Sequence, residues 1–317
     1  MATAVQAPFN TSPAYSGSFI PQLWSAKLNA KFYATTVFGE IANTNYEGEI
    51  KSMGDKVTIN NIPSITINDY TVGQSLNYEV PTPSTVDLTI DKAKYFGVNV
   101  SDVLAHQSKP PLMAMFTDDA AQQMKTTIDA EVLLKEFNNG AAANKGATAG
   151  VKSGAYSLGT DATPITLTGN NIVDMFTSLS SVLDEQNVPE DGRFLVIDPA
   201  TRRLLMSSPL AQAYVTGDQQ SMLRNGKIGM LDRFTVYVSN QLPKAALNSD
   251  FSGGVQGSTA KRRAIIAGHK SALTFASQVA KVEHLQNPND FGTLVRGLNV
   301  YGHRMIKSEA WALALVA

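Results

Sequence analysis

The chain has 317 residues, 43% hydrophobic and only 17% charged, with 26 basic and 27 acidic side chains and a formal net charge of −1. That length allows two lobes or one large domain, and the near-neutral balance argues against the basic excess of a free DNA-binding protein. The absence of cysteine excludes disulfides, zinc–thiolate sites, iron–sulfur clusters and cysteine nucleophiles.

A charged fraction below the usual ~25% leaves much of the surface to neutral polar residues or to other subunits. The opening Met1-Ala2-Thr3-Ala4-Val5-Gln6 has no basic start and no apolar run, so no signal peptide is expected. No apolar stretch reaches the ~20 residues that a bilayer span requires, so no membrane is expected as a partner.

Residues 1–19, rich in Ala, Thr, Ser and Gly, read as a flexible arm. Pro21 can open a short helix with Trp24, Leu28 and Phe32 at four-residue spacing. It packs either on this chain's own core or on a neighbouring subunit. Over 47–100 the period changes to two. Val57 and Ile59, Ile65 and Ile67, Val86, Leu88 and Ile90, and Phe96, Val98 and Val100 alternate, which predicts strands. Between them Asn68 to Ser84 is polar and turn-rich, with Gly73, Pro81 and Pro83. A two-stranded ribbon is marginal in water, so this long excursion needs a surface to lie on, in the chain or on a partner.

Ser108-Lys109-Pro110-Pro111 opens a helix over 111–137, about 40 Å long. Leu112, Phe116, Ala120, Met124, Ile128 and Val132 step by four along it. Lys125–Asp129 and Glu131–Lys135 are spaced for i,i+4 ion pairs, and Asn138-Asn139-Gly140 supplies the stop. Residues 139–163 have no periodicity and read as a surface loop.

Thr168 is expected to cap a helix carrying Ile172, Met175, Phe176, Leu179, Val182 and Leu183. Phe194 to Ile197 reads as a buried strand, and Asp198-Pro199 as the cap and first residue of a helix through Met206. Phe234, Val236 and Val238 form a strand, 243–260 a Gly- and Ser-rich loop, and Arg263 to Ala267 another strand. Ala280 to Leu285 is a strand, 287–290 a turn, and Thr293 to Ile306 a long strand with Leu294, Leu298, Val300 and Ile306 on one face. The tail Ala310 to Ala317 is apolar on both faces, as in a strand buried mid-sheet.

The chemistry-bearing patterns are weak. Gly268-His269-Lys270-Ser271 lacks both glycines of a phosphate-binding loop, and Asp290-Phe291-Gly292 has no His-Arg-Asp catalytic loop to accompany it. His106, His269, His284 and His303 form no ligand spacing. Asp118-Asp119 offsets a helix dipole, Asp184-Glu185 sits at a helix end where only solvation explains it, and Arg202-Arg203 and Lys261-Arg262-Arg263 read as solvated or ion-paired runs. No catalytic, cofactor-binding or metal-binding residue is assigned, no cofactor is expected, and the chain reads as no enzyme.

The order of parts resembles the major capsid proteins of tailed bacteriophages, the Hong Kong 97 fold. Ile20-Pro21-Gln22-Leu23-Trp24, Phe38-Gly39-Glu40-Ile41-Ala42-Asn43, Tyr46-Glu47-Gly48-Glu49-Ile50 and Gly54-Asp55-Lys56-Val57 carry the likeness at the start. Ile90-Asp91-Lys92-Ala93-Lys94-Tyr95-Phe96 and Gly297-Leu298-Asn299-Val300-Tyr301-Gly302 carry it later, while residues 68–84 match nothing. The resemblance implies an α+β fold: an N-terminal arm (1–47), an extended β loop (48–98), a peripheral domain with a long spine helix (99–167, with strands in 271–306), and an α/β axial domain (168–270) joined by the C-terminal strand 307–317. It implies a virion protein, assembled in the host cytoplasm into an icosahedral shell of pentamers and hexamers around double-stranded DNA, with a scaffolding protein, a portal and a decoration protein as further partners. A nanocompartment shell of the same fold, or an α/β enzyme built on 168–270, are the alternatives. No lysine lies between Lys56 and Lys92, and the charges there (Asp69, Glu79, Asp87, Asp91) are all acidic. A shell without lysine–asparagine cross-links is therefore expected.

Overall fold

The computed structural model describes residues 34–45, 56–63, 65–76, 78–101, 112–208, 229–243, 262–288 and 291–317. The expected arm 1–19, the helix carrying Trp24, the helix start at Ser108–Pro111, Lys261, and nearly all of the 243–260 loop lie outside the described residues.

Three sheets organise the chain. A ribbon pairs β1 (Lys56–Asn61) with β2 (Ser84–Thr89), antiparallel, Val57 opposite Leu88 and Ile59 opposite Val86. A three-stranded antiparallel sheet has the order β3 (Lys92–Ser101), β9 (Gly292–Met305), β8 (Leu273–Gln286). The third sheet has five strands in the order β10 (Trp311–Val316), β7 (Arg263–His269), β4 (Arg193–Ile197), β6 (Phe234–Val238), β5 (Met230–Leu231), and only β4 and β6 run parallel. The helices are α1 (Phe38–Ile41), the 25-residue α2 (Leu112–Glu136), α3 (Ile172–Glu185) and α4 (Pro199–Met206).

The five-stranded sheet is the core. All residues of β4 and β10 are buried, and α3 lays Met175, Phe176, Leu179, Val182 and Leu183 against them. The apolar residues of α3 recur every three to four positions, the stripe a helix needs to cover a sheet. Asp198 caps α4 as its chemistry dictates, its side chain accepting from Thr201 N at 3.0 Å with Pro199 in the first turn. Trp311 sits edge-on to Phe194, ring centroids 5.6 Å apart, and its Nε1 donates to Phe137 O at the end of α2.

Several expectations need correction. The alternation at Ile65 and Ile67 does not make a strand: the ladder covers only 56–61 and 84–89. Pro63, Pro81 and Pro83 cannot donate to a ladder there. The residues 139–163 are not a plain surface loop. Asn144, Ala149 and Leu158 are buried, and Leu315 N donates to Leu158 O while Ile165 N donates to Leu315 O. This segment seals the outer edge of β10, which is therefore an edge strand with a covered edge and not a mid-sheet strand. In β9 the buried face is the opposite one from that expected: Val295, Gly297, Tyr301 and Met305 point inward, and Leu298 is 39% exposed. The helix after Thr168 begins at Ile172, because Thr168 and Asn171 cap one another locally and Ile172 N bonds to Thr168 O. Strand β8 begins at Leu273, seven residues before the expected Ala280.

One glycine carries the junction between the ribbon and the sheet, and a second the pairing of β3 with β9. A Cβ on Gly302 would strike the backbone carbonyl of Thr89, and one on Gly297 would strike the ring of Phe96. The missing side chain at Gly302 lets the ribbon base cross β9 at close range, and that at Gly297 leaves room for the Phe96 ring on β3.

Candidate assembly surfaces

The excursion beyond the ribbon ladder is the first surface. Ile59 and Leu88 are buried with Ala276, so the base of the ribbon rests on this chain's own β8. Beyond the base the chain offers nothing. Ile62 is 95% exposed, Ile67 90%, Val72 97%, Tyr78 83% and Val80 84%, with Ile65, Tyr70 and Leu76 exposed beside them. Single exposed apolar residues are ordinary, but a run of this kind marks an interaction surface.

The second surface is the outward face of the three-stranded sheet. Tyr95 and Leu298 line a groove of about 370 Å³ with Lys281, Glu283 and Arg296. Arg296 Nε donates to Glu283 at 2.8 Å, and Lys281 pairs with the same carboxylate. The third is the first half of α2, where Met115 and Phe116 are exposed while Ile128, Val132 and Leu133 are buried. The i,i+4 row of α2 thus begins on the outside and ends in the core.

The charged residues mostly hold elements together. Asp129 and Glu131 do not serve the expected helix pairs. Asp129 accepts from the backbone of Val37 and Phe38, and Glu131 pairs with Lys94 at 2.8 Å and accepts from Tyr301 Oη at 2.9 Å. Burial, then the Glu131 carboxylate, push the Tyr301 phenol above its ordinary range. His303 Nδ1 lies 2.7 Å from Glu136 Oε1, both buried. Burial raises the Glu136 carboxyl, but the bonds from His303 and Asn139 and the charge of Lys92 outweigh it and leave it below the usual range. Thus α2 docks on the sheet through polar pairs as well as apolar contact.

The other singled-out segments are structural. His269 Nδ1 lies 2.8 Å from Ser271 Oγ and accepts from Ser271 N, closing the turn between β7 and β8, and Lys270 approaches Glu40 at 3.9 Å. Phe291 is exposed at the β8–β9 turn. Gln123 donates to Asp119 one turn along α2. Asp184 pairs with the buried Arg193 at 2.7 Å and with Arg233 at 3.1 Å, and Glu185 accepts from Lys152 N and Ser153 N. Arg262 pairs with Asp161, and Arg263 with Asp198 at 3.2 Å. Arg203 lies in the last turn of α4, where a cation meets the helix dipole favourably. Among the described residues no three His, Asp or Glu side chains converge as metal ligands, and no helix is long and apolar enough to cross a membrane.

An α+β subunit with a 25-residue helix packed on its sheets and a ribbon whose apolar tip lies exposed was compared with known proteins. The model of a family described as phage capsid protein matches residues 84–306, and the chain belongs to that family. Among solved structures, one from Mycobacterium phage Che8 superposes with a TM-score of 0.75 at 28% identity, covering 95% of this chain and 98% of that one. The capsid of the cyanophage P-SCSP1u gives 0.67 at 16% identity, covering 95% and 93%. The mature capsid of bacteriophage PhiM1 gives 0.65 at 14%, covering 98% and 99%. No curated protein matches the chain. The protein is a major capsid protein of the Hong Kong 97 type, a self-associating component of the virion that forms the head shell.

Proposed function

We propose that this shell encloses the packaged double-stranded DNA of a tailed bacteriophage, with copies of the chain arranged as pentamers and hexamers. The observation that carries the self-covering part of this reading is the run of exposed apolar residues from Ile62 to Val80. Surface of that kind requires burial, and a repeating shell of identical subunits supplies it on every copy. In this reading 48–98 is the extended loop that lies over a neighbour. Residues 168–270 with 307–317 form the axial domain around the five-fold and six-fold axes, 99–167 with 271–306 form the peripheral domain, and 1–47 form the arm. The chain acts without enzymatic chemistry and binds DNA without reading sequence. Assembly takes place in the host cytoplasm with a scaffolding protein and a portal, and a decoration protein can add to the finished surface.

The test is expression with the phage's scaffolding and packaging genes, followed by electron microscopy and nuclease treatment of the particles. Closed shells holding nuclease-resistant double-stranded DNA are expected. Closed shells filled with a cargo protein and no DNA would instead identify a nanocompartment. The mature particles, boiled and run on a denaturing gel, are expected to give a single band near 34.0 kDa. A ladder of oligomers with a lysine–asparagine link would contradict the absence of cross-links.

A further inference from the structure

The segment 37–43 is four residues of helix and its flanks, too short to hold its own shape in water. Yet Val37, Ile41 and Ala42 are buried. Three separate elements grip it. From α2, the wholly buried Asp129 accepts through Oδ1 from Val37 N at 3.0 Å and Phe38 N at 2.8 Å, meeting backbone donors that the start of α1 leaves open. From β8, Leu273 O accepts from Asn43 N at 2.8 Å, and Phe275 N donates to Asn43 O at 3.0 Å, so Asn43 forms a one-residue parallel bridge on the sheet edge. The Phe38 ring lies 5.0 Å from that of Phe275. From the five-stranded sheet, the Tyr237 phenol on β6 faces the Glu40 carboxylate, whose charge adds to burial in pushing the phenol up, and Lys270 stands 3.9 Å from that carboxylate.

Asp129 lies on α2 and Tyr237 on β6, and both meet this segment. Asp129 also keeps its second oxygen, Oδ2, buried without a partner. A buried carboxylate with one oxygen unmet is costly, and here it is spent on holding the backbone of a single short turn.

We propose that residues 37–43 form a strap that opens and closes as one unit, tying α2 and the three-stranded sheet to the five-stranded sheet, so that release at one grip loosens the others. A partner that drew the chain preceding residue 37 away would thereby act on α2 and both sheets at once. The inference concerns the single subunit and does not depend on what the shell encloses.

The test is amide hydrogen exchange on the full-length free subunit, read at Ile41, Ala42, Asn43 and Phe275. Asp129→Ala is expected to speed all four by about 10- to 100-fold, the loss of a buried acceptor for two donors. Tyr237→Phe, which removes the hydroxyl that faces Glu40, is expected to speed them about 3- to 10-fold. The double variant is expected to exchange no faster than Asp129→Ala alone, because the strap is already open. Should Asp129→Ala fail to fold, Asn43→Pro approaches from the other end: it deletes the N–H given to Leu273 and is expected to speed exchange at Val37 and Phe38. Multiplicative effects in the double variant would overturn the proposal. So would protection at Asn43 and Phe275 that survives Asp129→Ala, or at Val37 and Phe38 that survives Asn43→Pro. An equal rise at Leu195 and Ala267 in β4 and β7 would report global unfolding and would also contradict it.

Discussion

The C-terminal strand and the tip of the ribbon are both apolar, and the structure treats them oppositely. Trp311 to Val316 is buried at every position, paired with β7 on one edge and sealed by residues 145–165 on the other. Ile62 to Val80 is exposed at nearly every described apolar position and lies outside the strand ladder, which ends at Asn61 and Ser84. The first stretch stabilises the subunit; the second leaves its apolar side chains open to solvent. Hydrophobicity alone does not separate them. What does is hydrogen-bond closure: β10 has partners for its backbone on both sides, while the ribbon tip is interrupted by prolines that forbid a ladder.

The sharpest break of this contrast is truncation. Trp311→Ala should destabilise the free subunit by about 3–5 kcal/mol, whereas Val72→Ala should change it by less than about 0.5 kcal/mol. Denaturant unfolding of the free subunit measures both, and similar losses would show that the ribbon tip packs on its own subunit. Next is Gly302→Ala, where the new methyl meets the Thr89 carbonyl and forces the ribbon base off β9. A cost of about 1–3 kcal/mol is expected, with larger loss in assembly yield than in subunit stability.

Two buried aspartates sharpen the comparison by pH. Burial raises the Asp198 carboxyl, but the Thr201 hydroxyl and N–H and the Arg263 guanidinium outweigh it and hold it below the usual range. A depressed carboxyl stabilises above its unfolded pKa, so this contribution, at the start of α4 beside β7, is lost as pH falls through the lowered value. Asp129 has the opposite sign: burial exceeds the two backbone bonds and raises it. Its protonation favours the folded form, so its contribution grows as pH falls from neutral through the raised value. Stability measured against pH should therefore lose acid sensitivity in Asp198→Asn and gain it in Asp129→Asn. The reverse pattern would contradict both assignments. A small effect is expected for Arg233→Ala: Arg233 and Asp184 are both partly exposed, and removal should cost within about 1 kcal/mol in thermal unfolding.

The helices α2, α3 and α4 and the strands β4, β6 and β7 were legible from their apolar pattern, whereas the short α1 and β5 were not. Asp198-Pro199 states its own cap, and the stripe of α3 needs no partner to be read. The buried face of β9 was not legible, because glycine, asparagine, tyrosine and histidine occupy it and the leucines Leu294 and Leu298 lie on the other side. Residues 139–163 were missed for a related reason: they cover a sheet edge through backbone bonds, which leave no pattern in side chains. The tie of Asp184 to Arg193 spans a helix end and a strand start, and only the fold brings them to 2.7 Å. Among the surfaces, the sequence disclosed an excursion in need of support. It did not disclose that the support stops at Ile59 and Leu88.

The central claim is that the exposed ribbon is completed by neighbouring copies in the shell. Because the chain contains no cysteine, Val72→Cys provides a single reporter, and its rate of reaction with a maleimide can be compared in free subunits and in assembled shells. The account predicts fast labelling in the free subunit and labelling slowed by about 10-fold or more in the shell, as burial removes the thiol from solvent. Equal rates in the two states, in shells confirmed intact by microscopy, would contradict it.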